Sequence, residues 1–177
     1  MERLRPARKN QTVEEQATPA GSTAGRFDLG AFLPYLLNQA AESTSRGFAQ
    51  VYRSGYGMTR TQWRVLANLG RSGALTATEI CRISSVEKTK VSRAVAALEA
   101  RGWLRRDPSQ EDRRAEVLTL TAEGQEVYAR LGAQALVHDR NLRERLGPAR
   151  FDALTDMLRE LIALGTGDLD RGAPPAD

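Results

Sequence analysis

The 177-residue chain has only one cysteine, Cys81, and one histidine, His138. A single cysteine excludes a disulfide within the chain, and the two residues together are too few for a Cys/His zinc site. The sequence also lacks a phosphate-binding loop and a dinucleotide-binding glycine motif, and no Ser-His-Asp set can be assembled. These absences predict a protein that is not an enzyme and that binds no metal or cofactor.

Long apolar runs are also missing, so nothing in the sequence resembles a signal peptide or a membrane span. We therefore expect a cytoplasmic protein with no membrane partner. The composition, with 41% hydrophobic and 27% charged residues, is that of a globular domain, and the length suits one domain. A formal charge of +4 and a pI near 9.6 weakly favour an anionic partner.

Both ends of the chain lack the periodicity of helices or strands. Residues 1–25 are polar and rich in charge, proline, threonine and glycine, and residues 166–177 carry glycine, proline and aspartate. Such segments bury too little apolar surface to fold, so we predict a disordered arm and a disordered tail. One folded domain is expected between them, at 26–165.

Apolar spacing and helix-start signals predict four helices in the first part of this domain. The first spans about 31–54. Thr59 with Gln62, and Thr76 with Glu79, have the spacing of capping boxes and begin the second and third helices. A fourth helix begins just after Ser85 and ends at about 102, so a helix-turn-helix is expected at about 76–102.

Strand-like runs at 103–106 and 115–120 follow, separated by the turn-rich segment 107–112. They predict a β-hairpin, or wing, at about 103–120. Two more helices are expected within about 122–165, the last opened by Pro148. The predicted fold is mainly α with a small β-hairpin: a winged helix-turn-helix with additional helices at both ends.

The fourth helix has the properties of a DNA-reading helix. In a helix-turn-helix the second helix enters the major groove, so its outer face must be polar or basic. Lysine, arginine and hydroxyl side chains there can bind phosphates or base edges. The candidates on this helix are Lys88, Thr89, Lys90, Ser92 and Arg93. A merely solvated charged face is the alternative explanation.

The turn of the hairpin supplies a second set of candidates, Asp112, Arg113 and Arg114. A guanidinium on a projecting loop can enter an adjacent minor groove, and Asp112 can orient it. Solvated turn charges are again the alternative, but a preceding helix-turn-helix favours the DNA-binding interpretation.

Three consecutive segments carry a resemblance to the multiple-antibiotic-resistance regulator (MarR) family of bacterial transcription regulators. They are TRTQWRVLANL, LTATEICRISSVEKTKVSRAVAALEARGWLRR and DPSQEDRRAEVLTLTAEG. The resemblance covers roughly 29–164, and the runs VSRAVAALEARGW and DRRAEVLTLTAEG are its most specific parts. It implies that Ser92 and Arg93 contact DNA from the recognition helix, and that Asp112 and Arg114 form a wing Asp-x-Arg motif around Arg113.

The resemblance also implies an obligate homodimer, a pseudo-palindromic double-stranded operator, and a small-molecule or oxidant signal that weakens DNA binding. The apolar helices at about 31–54 and 122–165 are the expected dimerisation elements. Packing across a two-fold axis would place two recognition helices about 34 Å apart, one turn of DNA. The residues alone leave an intramolecular helical bundle equally open.

The function expected from this sequence is that of a repressor released by a small aromatic or phenolic effector. Its pocket is expected where the dimerisation helices meet the DNA-reading part, with Asn38, Trp63 and Arg64 as candidate lining residues. Trp63 can instead be a core residue beside the helix cap, and Arg64 a bridge between helices.

Two further alternatives concern the class of protein. Cys81 suggests an oxidant sensor or a thiol enzyme, but its position between two isoleucines favours a buried structural cysteine. His138 is expected at the surface or an interface, without a role. The winged helix can also serve protein docking, in which case Arg93 and Arg114 would contact acidic partners.

Overall fold

A computed structural model of the chain describes residues 26–108 and 116–165. Within these ranges lie a 3-10 turn, six α-helices and three strands, which confirm a mainly α, winged helix-turn-helix fold. In chain order the elements are the turn Leu29–Ala31, α1 (Leu33–Tyr56), α2 (Arg60–Ser72), β1 (Ala74–Thr76), α3 (Ala77–Ser84), α4 (Lys88–Glu99), β2 (Leu104–Pro108), β3 (Glu116–Leu120), α5 (Ala122–Leu146) and α6 (Pro148–Gly165). Among these described helices none is long and apolar enough to cross a membrane.

Three of the segments discussed above lie outside the described residues. They are the arm at 1–25, residues 109–115 of the wing, which include most of the turn predicted at 107–112, and the tail at 166–177. The expected disorder of the arm and tail therefore stays a prediction.

Capping boxes begin α2 and α3, as predicted. The hydroxyl of Thr59 accepts the N–H of Gln62 at 3.3 Å, and the Gln62 side chain accepts the N–H of Thr59 at 2.8 Å. The same exchange joins Thr76 and Glu79 at 3.2 and 2.7 Å. Each box satisfies two N–H groups that a helix start leaves unpaired, so α2 and α3 begin at defined residues.

The sheet contains one strand more than the predicted hairpin. Its order is β1-β3-β2, and all pairs are antiparallel. Leu75 of β1 lies opposite Leu118, and Leu104 of β2 lies opposite Leu120. A strand of three residues is too short to show alternation in the sequence, and its conformation results from pairing with β3 about forty residues later.

The core lies between α2, α3, α4 and the sheet. Its fully buried side chains are Leu66, Leu69, Ile80, Val91, Leu98 and Leu118. Burying one aliphatic side chain contributes about 1.5–3 kcal/mol, so exposing the buried face of α4 would cost several times that amount. The opposite face of α4 is therefore held at the surface.

The terminal helices are mostly outside this core. In α1 only Phe48 and Tyr52 are buried, and α6 has no buried residue. Many of their large apolar side chains are exposed, namely Leu33, Leu36, Leu154, Met157, Ile162 and Leu164, together with Leu136 and Val137 of α5. The folded lobe that carries α4 thus has its own core, whereas the terminal helices leave apolar surface uncovered.

Gly124 allows α5 to pack directly on the base of the wing. The carbonyl oxygen of Trp103, just before β2, accepts the N–H of Thr121 at 3.1 Å. A Cβ at Gly124 would overlap this oxygen and lie 2.8 Å from the carbonyl carbon. Both contacting atoms belong to the backbone, so no side chain can move aside to make room.

We therefore expect Gly124→Ala to lower the free energy of unfolding by about 1–3 kcal/mol, because the added methyl forces two backbones apart. Urea unfolding followed by circular dichroism, at fixed protein concentration, measures this change. Gly55→Ala in α1 is the control, since a Cβ there meets no atom within 4 Å. It should change stability by less than about 1 kcal/mol. Equal effects of both substitutions would contradict the packing described.

Candidate functional site

The recognition helix α4 presents two chemically different faces. Its buried residues are Val91, Ala94, Val95 and Leu98. All five predicted DNA-contacting residues of this helix, Lys88, Thr89, Lys90, Ser92 and Arg93, are exposed. Only Lys90 among them forms a described salt bridge, with Glu87 at 3.0 Å. The structure thus brings basic and hydroxyl groups together on one outward face.

A strained turn sets the angle between α3 and α4. Ser85 follows α3 with φ 49° and ψ 46°, and it is the one non-glycine residue with positive φ among the described residues. The N–H groups of Ser85 and Val86 both bond to the carbonyl of Cys81. A left-handed serine costs about 1–3 kcal/mol and persists where its surroundings determine the conformation. The sequence indicated a turn here but not this geometry.

Arg106 connects the recognition helix to the wing. Its guanidinium Nε lies 2.9 Å from a carboxylate oxygen of Glu99 at the end of α4, and Nη1 lies 3.0 Å from one of Glu116 at the start of β3. The hydrogen bond with Glu116, followed by that with Glu99, raises the pKa of Arg106. Sequence reasoning missed this residue, although it shares the core-facing side of β2 with Leu104.

The predicted wing contacts Asp112, Arg113 and Arg114 lie outside the described residues. They belong to the segment between Pro108 and Glu116, which are paired as the last register position of the hairpin. Their role therefore stays a prediction. The described strands on either side of these residues end at Pro108 and begin at Glu116, and Glu116 pairs with Arg106.

A cavity of about 310 Å³ lies between α1, α2 and α5. Its lining residues are Thr44, Ser45, Phe48, Tyr52, Arg60, Trp63, Arg64, Ala135, His138, Asp139 and Leu142. Trp63 packs edge-on against Phe48 at 5.2 Å between ring centroids and stacks on Tyr52 at 6.4 Å. Two predicted pocket residues, Trp63 and Arg64, do line this cavity, and Trp63 also packs against the core.

The two arginines of the cavity, Arg60 and Arg64, both come from α2. Arg60 forms a salt bridge with Glu42 and donates to the hydroxyl of Ser45 at 3.3 Å. The hydrogen bond from Arg60 is the main cause that lowers the pKa of Glu42. Arg64 donates to the carbonyl of Ser84 at 3.3 Å, so it also bridges α2 and α3.

Asn38 does not line this cavity, so its role in ligand binding stays a prediction. It lies on α1 six residues before Thr44, a distance of about 9 Å along a helix axis at 1.5 Å per residue. Its side chain is exposed.

His138, which was expected at the surface or an interface, forms part of the cavity wall. Its ring Nε2 lies 2.9 Å from the carbonyl oxygen of Thr44, and its ring packs against Phe48 at 5.9 Å. The crossing of α1 and α5 brings these residues together, and no local signal in the sequence marks it. Cys81 is half-buried and packs against the core. Its side chain is therefore neither fully buried nor fully accessible.

A compact lobe with an outward-facing basic helix after a tight turn, followed by a β-wing, defines a winged helix-turn-helix DNA-binding protein. The family model described as "MarR family" matches residues 56–115. The chain is 30% identical over 130 residues to the uncharacterised HTH-type transcriptional regulator YwoH of Bacillus subtilis, covering 73% of this chain and 93% of that protein. The chain belongs to the MarR family of transcriptional regulators.

Other relatives agree with this assignment. The homoprotocatechuate degradative operon repressor of Escherichia coli is 26% identical over 133 residues, covering 75% of this chain and 89% of that protein. A solved MarR-family regulator from Silicibacter pomeroyi has a TM-score of 0.66 at 28% identity, covering 77% of this chain and 99% of that one. Because these relatives are transcriptional regulators, they confirm the expectation that the chain is not an enzyme.

Arg106→Met should weaken binding to duplex DNA more than it lowers thermal stability. The variant loses two partly exposed ion pairs, each worth about 0–1 kcal/mol, but it also releases the base of the wing from α4. Fluorescence anisotropy on a duplex and thermal unfolding provide the two measurements. Arg130→Met, which removes an exposed arginine paired with Glu126 on α5, controls for the loss of one positive charge. Equal DNA affinities of the two variants would contradict a positioning role for Arg106.

Proposed function

We propose that the protein is a homodimeric repressor that binds a pseudo-palindromic operator and is released from it by a small aromatic or phenolic acid. The observation that carries the DNA-binding part is the outward face of α4, whose basic and hydroxyl residues lie opposite a fully buried apolar face. The name of the Escherichia coli relative, an operon repressor, supports repression as the mode of action.

Within this proposal, different residues recognise different parts of the duplex. Arg93 is the candidate for a bidentate contact with guanine O6 and N7, and Ser92 for a hydroxyl contact with a base edge or phosphate. Lys88, Thr89 and Lys90, near the start of the helix, are suited to phosphates. The wing residues Asp112, Arg113 and Arg114 are assigned to the minor groove and its flanking backbone.

The dimer is supported by the uncovered apolar surface of the terminal helices. An 18-residue helix with no buried residue, α6, gains too little from its own chain to hold this position, because helices in proteins are stabilised mainly by packing. A second copy offers the same surface and can cover it across a two-fold axis. That symmetry matches two half-sites about 34 Å apart on the operator.

The effector proposal depends on the cavity between α1, α2 and α5. A volume of about 310 Å³ suits a ligand with a single ring, and the aromatic side chains Phe48, Tyr52 and Trp63 provide apolar walls. Arg60 and Arg64 add positive charge at the same wall. An aromatic ring that carries an acidic group is complementary to both features.

The DNA assignment predicts different losses for the recognition helix and the wing. Arg93→Ala should cost about 1–3 kcal/mol on the specific operator and relax the preference at one base pair per half-site. Arg114→Ala should weaken specific and unrelated AT-rich duplexes more evenly and reduce the salt dependence, and Asp112→Ala should do so more mildly. Selection from random duplexes gives the operator, and anisotropy at two salt concentrations measures each variant.

Wild-type binding should itself fall steeply with salt, because each neutralised phosphate releases condensed counterions. Binding that ignores salt, or three variants that match the wild type on every duplex, would refute the DNA assignment. A winged helix used for protein docking would give that result.

The dimer assignment predicts that deleting residues from Phe151 onward gives a monomer at micromolar concentration. Ile162→Asp is a milder test. Because this side chain is 70% exposed in one subunit, the introduced charge should leave the fold of that subunit intact and weaken only an interface. Arg159→Gln on the same helix, at a position 72% exposed, should leave the dimer intact. Analytical ultracentrifugation measures the mass, and a wild-type monomer would refute the assignment.

A further inference from the structure

A bidentate salt bridge joins the last two helices at the corner between them. Both Nη atoms of Arg143 on α5 donate to the carboxylate of Asp152 on α6, and the distance from Nη2 to Oδ2 is 2.9 Å. The same guanidinium lies over the ring of Phe151, with its Cζ 5.7 Å from the ring centroid. Bidentate pairing fixes the direction of a guanidinium as well as its distance, so this pair constrains the angle between the helices.

The rest of the corner restrains α6 only weakly. A single residue, Gly147, connects the two helices, and its φ of 88° lies in the left-handed region that favours glycine. No residue of α6 is buried. Among the salt bridges formed within 26–108 and 116–165, the pair of Arg143 and Asp152 is the only one between α5 and α6. An exposed ion pair adds little to the stability of a fold, but here it is the directional contact that sets the helix angle.

The opposite end of α5 is attached to the lobe that carries α4. The hydroxyl of Thr121, just before α5, donates to the carbonyl of Gly102 at 2.6 Å, and Glu123 accepts the indole N–H of Trp103 at 3.0 Å. Gly124 packs on the carbonyl of the same tryptophan. The helix therefore connects the base of the wing to the corner with α6 over 25 residues, a length of about 37 Å.

This length amplifies small changes at the corner. A rotation of about 5° there moves the far end of α5 by about 3 Å, close to the rise of about 3.4 Å per base pair of DNA. In a dimer that assembles through α6, the lobe at the far end carries the recognition helix. The angle at the corner therefore affects the separation of the two recognition helices.

On the basis of the proposed function, we infer that Arg143 is a positioning residue that sets the half-site spacing of the operator. With the pair formed, the two α4 helices are held at one separation. The second helix then has its highest effective concentration on a duplex whose half-sites have that spacing. Without the pair, α6 can adopt a range of angles, and the dimer accepts neighbouring spacings. Arg143 acts through α6 and not by contact with DNA.

The test uses the selected operator and two derivatives, with one base pair inserted or removed at its centre. An inserted base pair moves one half-site by about 3.4 Å and turns it by about 34° around the duplex axis. Anisotropy measures the affinity for each duplex. The wild type should lose at least about tenfold on either derivative, whereas Arg143→Met should lose at most about threefold. A merely structural loss would instead weaken binding to all three duplexes by the same factor.

Further variants separate this role from general effects of charge or folding. Asp152→Asn keeps the size of the side chain, and it should relax the spacing preference as Arg143→Met does. The double variant should be no more relaxed than either single one, because both act through one pair. Arg159→Met removes an arginine from the same cleft that is paired with Asp156 within α6, and it should keep the wild-type preference. Circular dichroism and analytical ultracentrifugation show whether each variant is a folded dimer.

The inference is overturned if Arg143→Met or Asp152→Asn, folded and dimeric, retains the wild-type preference, or if Arg159→Met loses it to the same extent. If Arg143→Met fails to fold, Asp152→Asn decides. A variant of the pair that folds as a monomer also overturns the inference, because the pair would then hold the dimer together instead of setting its geometry.

A wild type that binds all three duplexes equally overturns the inference as well, but it leaves the DNA-binding proposal intact. A wild type that is a monomer, or that binds no selected duplex, refutes the proposed function itself. The two failures are therefore distinguishable.

Discussion

Burial of the inner face of α4 against α2, α3 and the sheet is the interaction on which the rest of this structure depends. Val91, Val95 and Leu98 are almost fully removed from solvent, and rotating the helix would expose all three. Because that rotation would cost several kcal/mol, the opposite face is presented outward in one orientation. The DNA-reading chemistry needs only that orientation and side chains of suitable charge. Packing of the apolar face thus fixes the orientation of α4, which the flexible basic side chains could not fix by themselves.

Apolar side chains are buried in the lobe that carries α4 but exposed on the terminal helices. The lobe that carries α4 buries its apolar side chains internally, so it can act as a rigid unit. The helices α1 and α6 instead leave theirs exposed, and the only buried residues of α1 lie where it crosses α2. The cavity lies at this crossing, between the rigid lobe and the helices proposed to dimerise. A ligand there contacts both parts, which is the position from which it can alter their relative placement.

Backbone contacts and a small number of polar bonds connect individual elements of the structure. The first turn of α5 packs on the carbonyl of Trp103 without an intervening side chain, and Arg106 joins α4 to both strands of the wing. Arg64 connects the cavity to the turn before α4 in the same manner. Each connection is short and directional, in contrast to the nonspecific packing of the core.

Local patterns in the sequence determined most of the secondary structure and the outward face of α4. Capping boxes at Thr59 and Thr76 and the apolar spacing of α4 are properties of a few neighbouring residues, which is why they could be recognised without the fold. The MarR family was likewise evident from the order of the recognition-helix and wing segments. The candidate residues Lys88 to Arg93 could be named for the same reason.

Only the tertiary structure decided the features that depend on residues far apart in the chain. Strand β1 exists because β3 pairs with it, and His138 enters the cavity because α5 crosses α1 beside Thr44. The exclusion of Asn38 and the bond from Arg64 to Ser84 also follow from helix crossings. The energy of such contacts depends on three-dimensional packing. A local pattern of residue types therefore does not show which distant residues come into contact.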